Sequence, residues 1–227
     1  MSMITDYSFL FQNMFGIKDT NITGSFQLSQ LNSSSVQARL KAAGIDTNSK
    51  QYKAALKQMM SNADGAMYTN IQGIKNLMKN YDKDGDYIDP TTGLAGLLVT
   101  EENAESRKRF ISIPESSRDE MFELTRKEFL RENGVQNGDT TKRSDVYTNL
   151  HRKMQKKDRL AAGYTLEQYE RAYRQAFLDA VREADPNWKA GKPIKSGVLD
   201  GITRESVEGR MKISGSTVTG ASMDMRI

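Results

Sequence analysis

Four aspartates crowd a short segment of the chain and could bind a cation. They occupy alternate positions and then one further position: Asp82, Asp84, Asp86 and Asp89. Carboxylates this close repel one another unless positive charge lies among them, and hard cations such as Ca²⁺ prefer oxygen ligands. The segment therefore predicts a calcium site formed by these side chains, a main-chain carbonyl near Tyr87 or Ile88, and water. The alternative is a solvated acidic turn, neutralised by Lys83 or an arginine, in which Asp89 caps a turn at Pro90.

This acidic segment resembles the EF-hand calcium loop. In that family apolar residues precede the loop, as Met78 and Tyr81 do here, and alternating aspartates follow. The segment departs from the family because the glycine expected after Asp86 is missing and Thr92 stands where a bidentate glutamate belongs. The resemblance implies a degenerate loop with a dissociation constant of roughly 10⁻⁴–10⁻³ M. Such a loop stabilises a fold rather than switching it, because a switch needs a complete loop.

A basic stretch offers a second candidate surface. Its members are Lys142, Arg143, Arg152, Lys153, Lys156, Lys157 and Arg159. A helix predicted over 144–159 places four of them on one face, because residues three and four apart are neighbours on a helix: Arg152, Lys153, Lys156 and Lys157. This face could contact nucleic-acid phosphates, with the basic segment 107–109 extending it. The alternative is a solvated helix face, because no recognised nucleic-acid motif accompanies it.

The sequence nominates no catalytic group. His151 is the only histidine, and without a serine or carboxylate pattern beside it we expect a surface or half-buried side chain. The absence of cysteine excludes disulfides, thiolate metal sites and cysteine nucleophiles. There is no phosphate-binding glycine loop, nucleophile elbow or zinc-protease motif. We therefore expect a non-enzymatic protein; the alternative is an enzyme whose acid–base pair meets only in three dimensions.

Apolar periodicity predicts an all-α or α-dominated fold, an irregular helical bundle with flexible ends. The predicted helices cover about 34–43, 49–59, 65–81, 100–110, 116–133, 144–159, 165–184 and 203–212. We expect Gly163 to separate the basic helix from the next one, which a capping box of Thr165 and Gln168 would begin. Two short β-compatible runs, 97–99 and 110–113, could pair as a small ribbon.

Composition divides the chain into three predicted parts. Residues 1–33 form a flexible N-terminal arm with an aromatic cluster at 7–15, residues 34–186 a helical domain, and residues 187–227 a C-terminal extension with one short helix. The aromatic cluster either packs onto its own core or docks on a partner. The stretches 68–89 and 113–143 resemble an uncharacterised family of bacterial proteins, and that resemblance carries over no functional residue.

Charge and hydropathy limit the location and the partners. No run approaches 18 apolar residues, so we expect no membrane span. The start lacks a basic segment followed by an apolar one, which predicts a cytoplasmic protein or one exported without a cleaved signal peptide. The net charge of +4 permits a nucleic-acid partner but does not favour it. The sequence therefore predicts a helical structural or interaction protein with a protein partner and Ca²⁺ as its one cofactor.

Overall fold

The structure is a computed structural model that describes residues 24–61, 67–133 and 140–219. Helices dominate it, which confirms the predicted α-dominated class. The chain divides into two compact units, residues 1–98 and residues 99–227. The aromatic cluster predicted at 7–15 lies outside the described residues.

The described part of unit 1 (residues 1–98) combines helices with a small antiparallel ribbon. In chain order its elements are β1 (Phe26–Gln27), a 3-10 turn (Leu28–Gln30), α1 (Ser34–Ala42), α2 (Lys50–Ser61), β2 (Tyr68–Thr69) and α3 (Ile71–Met78). Helix α1 begins where Ser33 accepts a hydrogen bond from the backbone of Val36. It ends before Gly44, whose φ of +77° suits a helix terminus.

The core of unit 1 includes part of the predicted arm. Its buried side chains are Phe26, Leu28, Leu31, Val36, Leu40, Ile45, Tyr52, Met59 and Ile74. Contrary to the prediction of a flexible arm, residues 24–33 are folded, and the first three of these side chains are each only 3% exposed. The backbone amide of Leu28 also donates to the carbonyl of Met67 at 2.9 Å. Burial of alternating apolar residues against β2 and α1 outweighs the polar composition of the segment.

Helix α3 is shorter than the helix predicted over 65–81. Tyr68 and Thr69 are extended because they pair with β1. Asn70 then caps the helix by accepting a hydrogen bond from the amide of Gly73 at 2.8 Å. Met67 fits the helical spacing but precedes this cap, so apolar spacing alone placed the start too early.

The described part of unit 2 (residues 99–227) is a helical bundle with a short C-terminal hairpin. Its elements are α4 (Glu115–Glu132), α5 (Thr140–Lys153), a 3-10 turn (Lys156–Asp158), α6 (Arg159–Ala184), α7 (Arg204–Glu208), β3 (Lys212–Ser214) and β4 (Thr217–Thr219). Aromatic rings join α4 to α6: Phe122 contacts Tyr173 with ring centroids 5.1 Å apart, and Phe129 contacts Phe177 at 5.7 Å. Such contacts between aromatic rings add to the energy of apolar burial.

Helix α6 runs through the glycine that was predicted to separate two helices. Gly163 lies where α5 and α6 approach closely, since a Cβ there would stand 3.0 Å from Nε2 of His151. Thr165 is buried inside the helix and is not its cap. Its Oγ1 accepts a hydrogen bond from the amide of Ile111 at 3.1 Å. Gly163 and Thr165, which resemble a helix boundary in the sequence, therefore serve contacts with other parts of unit 2.

Other boundaries also differ from prediction. Helix α5 ends at Lys153, so the predicted helix over 144–159 is interrupted before residue 156. Residues 101–107 form turns, and neither 97–99 nor 110–113 is a strand. The chain at 109–111 is held by Thr165 instead of by a neighbouring strand.

The predicted C-terminal extension is packed into unit 2 as far as it is described. Its short helix, α7, lies within the predicted range 203–212. Leu199, Ile202 and Val207 are buried in the same core as the rings of α4 and α6. Across the described chain, no helix combines the length and apolar content that crossing a membrane requires.

Candidate metal centre

The acidic loop, residues 82–86, is held in place by backbone pairing at its base. Tyr81 and Tyr87 form an antiparallel bridge, and the amide of Ile88 donates to the carbonyl of Asn80 at 2.8 Å. The side-chain amide of Gln51, on α2, donates to the carbonyl of Tyr81 at 2.7 Å. The loop is therefore a tight reversal anchored to the body of unit 1.

Inside the loop, Asp82 folds the backbone around its own carboxylate. Its Oδ1 accepts hydrogen bonds from the amides of Asp84 and Asp86, both at 2.9 Å. Its amide donates to the carbonyl of Asp86 at 2.9 Å. Gly85 has a φ of +84°, and a Cβ there would stand 2.9 Å from the carbonyl oxygen of Lys50. Only glycine fits this position without strain.

Three of the four predicted ligands converge. Carboxylate oxygens of Asp82, Asp84 and Asp86 lie within 4.8 Å of one another. At that separation each pair of charges repels by on the order of 1 kcal/mol even in water. A divalent cation among the oxygens would replace this repulsion by attraction. The three aspartates at alternate positions are thus close in space as well as in sequence.

Asp89 is not brought into the group. Its Oδ2 accepts hydrogen bonds from the hydroxyl of Thr92 at 2.6 Å and from the amide of Thr92 at 3.1 Å, and its Oδ1 accepts from the amide of Thr91 at 3.3 Å. The hydroxyl of Thr92 is the main cause of a lowered pKa of the Asp89 carboxyl. Asp89 thus caps its own turn, which is the role that the alternative interpretation gave it.

The EF-hand resemblance is not confirmed. An EF-hand continues into a second helix, whereas residues 90–99 contain none. Ile88 instead forms an antiparallel bridge with Ala95, and Gly93 and Gly96 take positive φ values that interrupt a helix. The likeness is confined to the aspartate spacing.

The predicted basic face is rearranged. Arg152 and Lys153 lie in the last turn of α5, whereas Lys156 and Lys157 lie in the 3-10 turn that follows. The four side chains therefore do not share one face of a continuous helix, although they remain close in sequence around one corner of unit 2.

His151 is half-buried, as one of the expected alternatives proposed. Its Nε2 faces Gly163, and its ring centroid lies 6.2 Å from that of Tyr147. Burial, with a smaller contribution from the charge of Arg159, lowers the pKa of the imidazole to about 4. These contacts support a packing role, with a neutral ring at physiological pH.

Because the unfolded imidazole has a pKa of about 6.5, acid should destabilise unit 2 through His151. As the pH falls from 7 to 5, the unfolded state gains a proton that the folded state does not, so the free energy of unfolding falls by on the order of 1–2 kcal/mol. His151→Gln should remove this part of the pH dependence. Urea unfolding followed by fluorescence of Trp188, the only tryptophan, measures it at both pH values. An equal pH dependence in the two proteins would contradict the assignment.

One half-buried ionic group of unit 2 could not be predicted from the sequence because three helices supply it. Arg143 of α5 donates to Glu128 of α4 and lies 2.9 Å from Glu170 of α6. The hydroxyl of Tyr147 donates to Glu170 at 3.4 Å. Burial raises the pKa of the Glu170 carboxyl, and Arg143 opposes that shift. No sequence spacing could have brought these residues together.

A second ionic group surrounds Arg204, which is 7% exposed. Its guanidinium contacts carboxylates of α4 and α7: Glu115, Asp119, Glu205 and Glu208. Tyr173 of α6 donates its hydroxyl to Glu208, and burial followed by this hydrogen bond raises the pKa of the phenol. The group joins α7 to the bundle and has a structural role.

Comparison with known proteins adds one finding. No curated protein and no solved structure matches the chain. Residues 45–227, which include the acidic loop, the basic residues around 152–159 and both ionic groups, match a family described as a domain of unknown function, DUF3879. The chain belongs to that family.

Proposed function

We propose that this chain is a non-enzymatic helical protein with a structural or protein-binding role, and that its acidic loop binds Ca²⁺ weakly. The convergence of Asp82, Asp84 and Asp86 within 4.8 Å carries the proposal. Three carboxylates, a main-chain carbonyl and water supply the oxygen-only coordination that Ca²⁺ accepts.

The surroundings of the loop favour a stabilising ion over a signalling one. The loop is tied to α2 through Gln51 and through the close approach of Gly85 to Lys50. Residues 90–99 supply no second helix that ion binding could reorient. An ion here would couple the loop to the body of unit 1 and so raise the stability of the folded state.

The expected affinity is low because few protein ligands are present. Asp84 is exposed, and the bidentate glutamate of strong loops has no equivalent. We expect a dissociation constant of roughly 10⁻⁴–10⁻³ M. At ten times that concentration, Ca²⁺ would increase the free energy of unfolding by about 1.4 kcal/mol.

Calorimetry and thermal unfolding with millimolar Ca²⁺ test the site. The intact chain should show saturable binding and a higher melting temperature, and Asp84→Asn should lose both because it removes one of the three converging carboxylates. Asp145→Asn is the matched control, since it removes an exposed carboxylate of unit 2. If the intact chain shows neither binding heat nor a thermal shift, the calcium proposal is wrong. If both variants lose Ca²⁺ binding equally, the ion responds to the overall charge of the chain and not to the acidic loop.

Individual exposed apolar side chains are the support for a protein partner. In the described part of unit 1, Met60 and Tyr68 are each 47% exposed, and large exposed apolar side chains are common at interfaces. An enzymatic role stays the alternative. It would require reacting carboxylates in a cleft, whereas Glu128 and Glu170 are each engaged by Arg143.

A further inference from the structure

The net positive charge of the chain is concentrated in one place. The segment 151–159 contains five basic residues and one acidic residue, a net charge of +4, which equals the net charge of all 227 residues. We call this segment the basic corner. It comprises the end of α5, the 3-10 turn and the first residue of α6. The rest of the chain is electrically balanced.

A neighbouring loop adds positive charge to the basic corner. Arg109 forms an ion pair with Asp158, the one acidic residue of the corner, at 2.7 Å. Thr165 fixes this loop against α6, since it accepts from the amide of Ile111 at 3.1 Å. Arg109 therefore engages the carboxylate that would otherwise offset the lysines of the 3-10 turn. This proximity of the loop to the corner agrees with the extension considered from sequence.

From this charge distribution we propose that the basic corner binds the phosphate backbone of a nucleic-acid duplex without reading its base sequence. Arg152, Lys153 and Lys157 are exposed there, and long cationic side chains contact phosphate oxygens. Reading bases in the major groove normally requires a helix or ribbon that enters it. The corner is instead a change of direction between two helices, which suits contact with the backbone alone.

The side chains of the basic corner favour a nucleic-acid duplex over a membrane surface or a single strand. In the described chain the most exposed large apolar side chains are Met60, Tyr68, Leu98, Val99, Leu130 and Ile213, and none belongs to the corner or to the loop at 107–111. Surfaces that bind membranes usually combine basic with inserted apolar side chains. Proteins that bind single strands stack bases on exposed aromatic rings. Lys153 also lies 3.9 Å from the carboxylate of Glu120, but exposed cations without exposed large apolar side chains fit a duplex backbone best.

The number of exposed cations sets the expected strength. Contact with about three phosphates gives a slope of roughly −3 for the logarithm of the binding constant against the logarithm of the salt concentration. The dissociation constant should fall in the range of about 10⁻⁴–10⁻⁶ M near physiological salt. Different duplex sequences should bind equally well, because no base contact contributes.

Fluorescence anisotropy of a labelled mixed-sequence duplex with the full chain, between about 50 and 200 mM salt, tests the proposal. The test variant combines Arg152→Gln, Lys153→Gln and Lys157→Gln. The control variant combines Lys41→Gln, Lys53→Gln and Lys57→Gln, which neutralises three exposed cations of unit 1. We expect the test variant to bind at least about tenfold more weakly at low salt with a shallower slope, and the control to stay within about twofold of the intact chain.

Several results would overturn the proposal. These are no binding of the intact chain at the lowest salt, equal weakening in both variants, and a strong preference for one duplex sequence. Vesicles containing about 30% anionic lipid provide the membrane comparison; binding to vesicles without binding to duplex would assign the corner to a membrane surface instead. If the triple variant loses its helical circular dichroism, Arg152→Gln and Lys157→Gln are measured singly, and each should give part of the loss. None of these results depends on Ca²⁺ binding in unit 1.

Discussion

Replacing Phe26 and Leu31 together with alanine is expected to unfold unit 1. Both side chains are 3% exposed in its core, and truncating a buried leucine or phenylalanine costs about 2–5 kcal/mol each. A combined loss of about 5 kcal/mol or more approaches the whole stability of a small domain. Hydrogen exchange measured by mass spectrometry should show the amides of α1 and α2 exchanging rapidly in this variant.

A matched control separates burial from a general effect of changing the segment. Ser29 and Asn32 lie beside the same core residues but are exposed. Their joint replacement by alanine should leave exchange in α1 and α2 nearly unchanged. If the Phe26 and Leu31 variant exchanges no faster than this control, residues 24–33 do form a flexible arm and their packing is refuted.

Arg143→Met should destabilise unit 2 by about 3 kcal/mol at pH 7. The change leaves the carboxylates of Glu128 and Glu170 facing each other, with side chains 4% and 11% exposed. Removing one partner of a buried ion pair lowers the stability by more than the intact pair contributes, because the remaining charge stays buried without an opposite charge beside it. Urea unfolding followed by Trp188 fluorescence measures the change, and Arg131→Met, at an exposed position of α4, should have little effect.

The pH dependence of the Arg143→Met variant provides a specific signature. Without the guanidinium, the folded pKa of Glu170, which burial already raises, should rise further. A raised folded pKa contributes stability at low pH that is lost as the pH increases. The difference in stability between the variant and the intact chain should therefore shrink as the pH falls from 7 to 5. Replacing Arg143, Glu128 and Glu170 together with apolar residues of similar volume should restore most of the lost stability. If the triple variant stays as unstable as Arg143→Met, the single change has disrupted packing and not charge compensation.

Sequence patterns predicted the helices well where apolar residues recur along one buried face of the helix. Helix α4 and the main part of α6 carry such stripes, and the structure places both near the expected positions. The patterns failed where a distant residue decides the local conformation. Gly163 and Thr165 look like ordinary helix signals, and only their contacts with His151 and Ile111 reveal what each does.

The candidate site was predictable to the extent that it is local. Asp82, Asp84 and Asp86 converge because their own backbone turns between them. Asp89 lies only three residues further, yet its hydrogen bonds with Thr92 keep it in another turn. The group around Arg143 is assembled from three helices, so no spacing in the sequence records it.

The close approach of Gly163 to His151 makes these two positions interdependent in any relative that shares this packing. A larger residue at 163 would strike the imidazole, since even a methyl carbon would stand 3.0 Å from Nε2. A smaller residue at 151 would leave a gap beneath the glycine, and such voids are destabilising. Substitutions at the two sites should therefore occur in compensating pairs, a bulkier residue at one with a slimmer residue at the other.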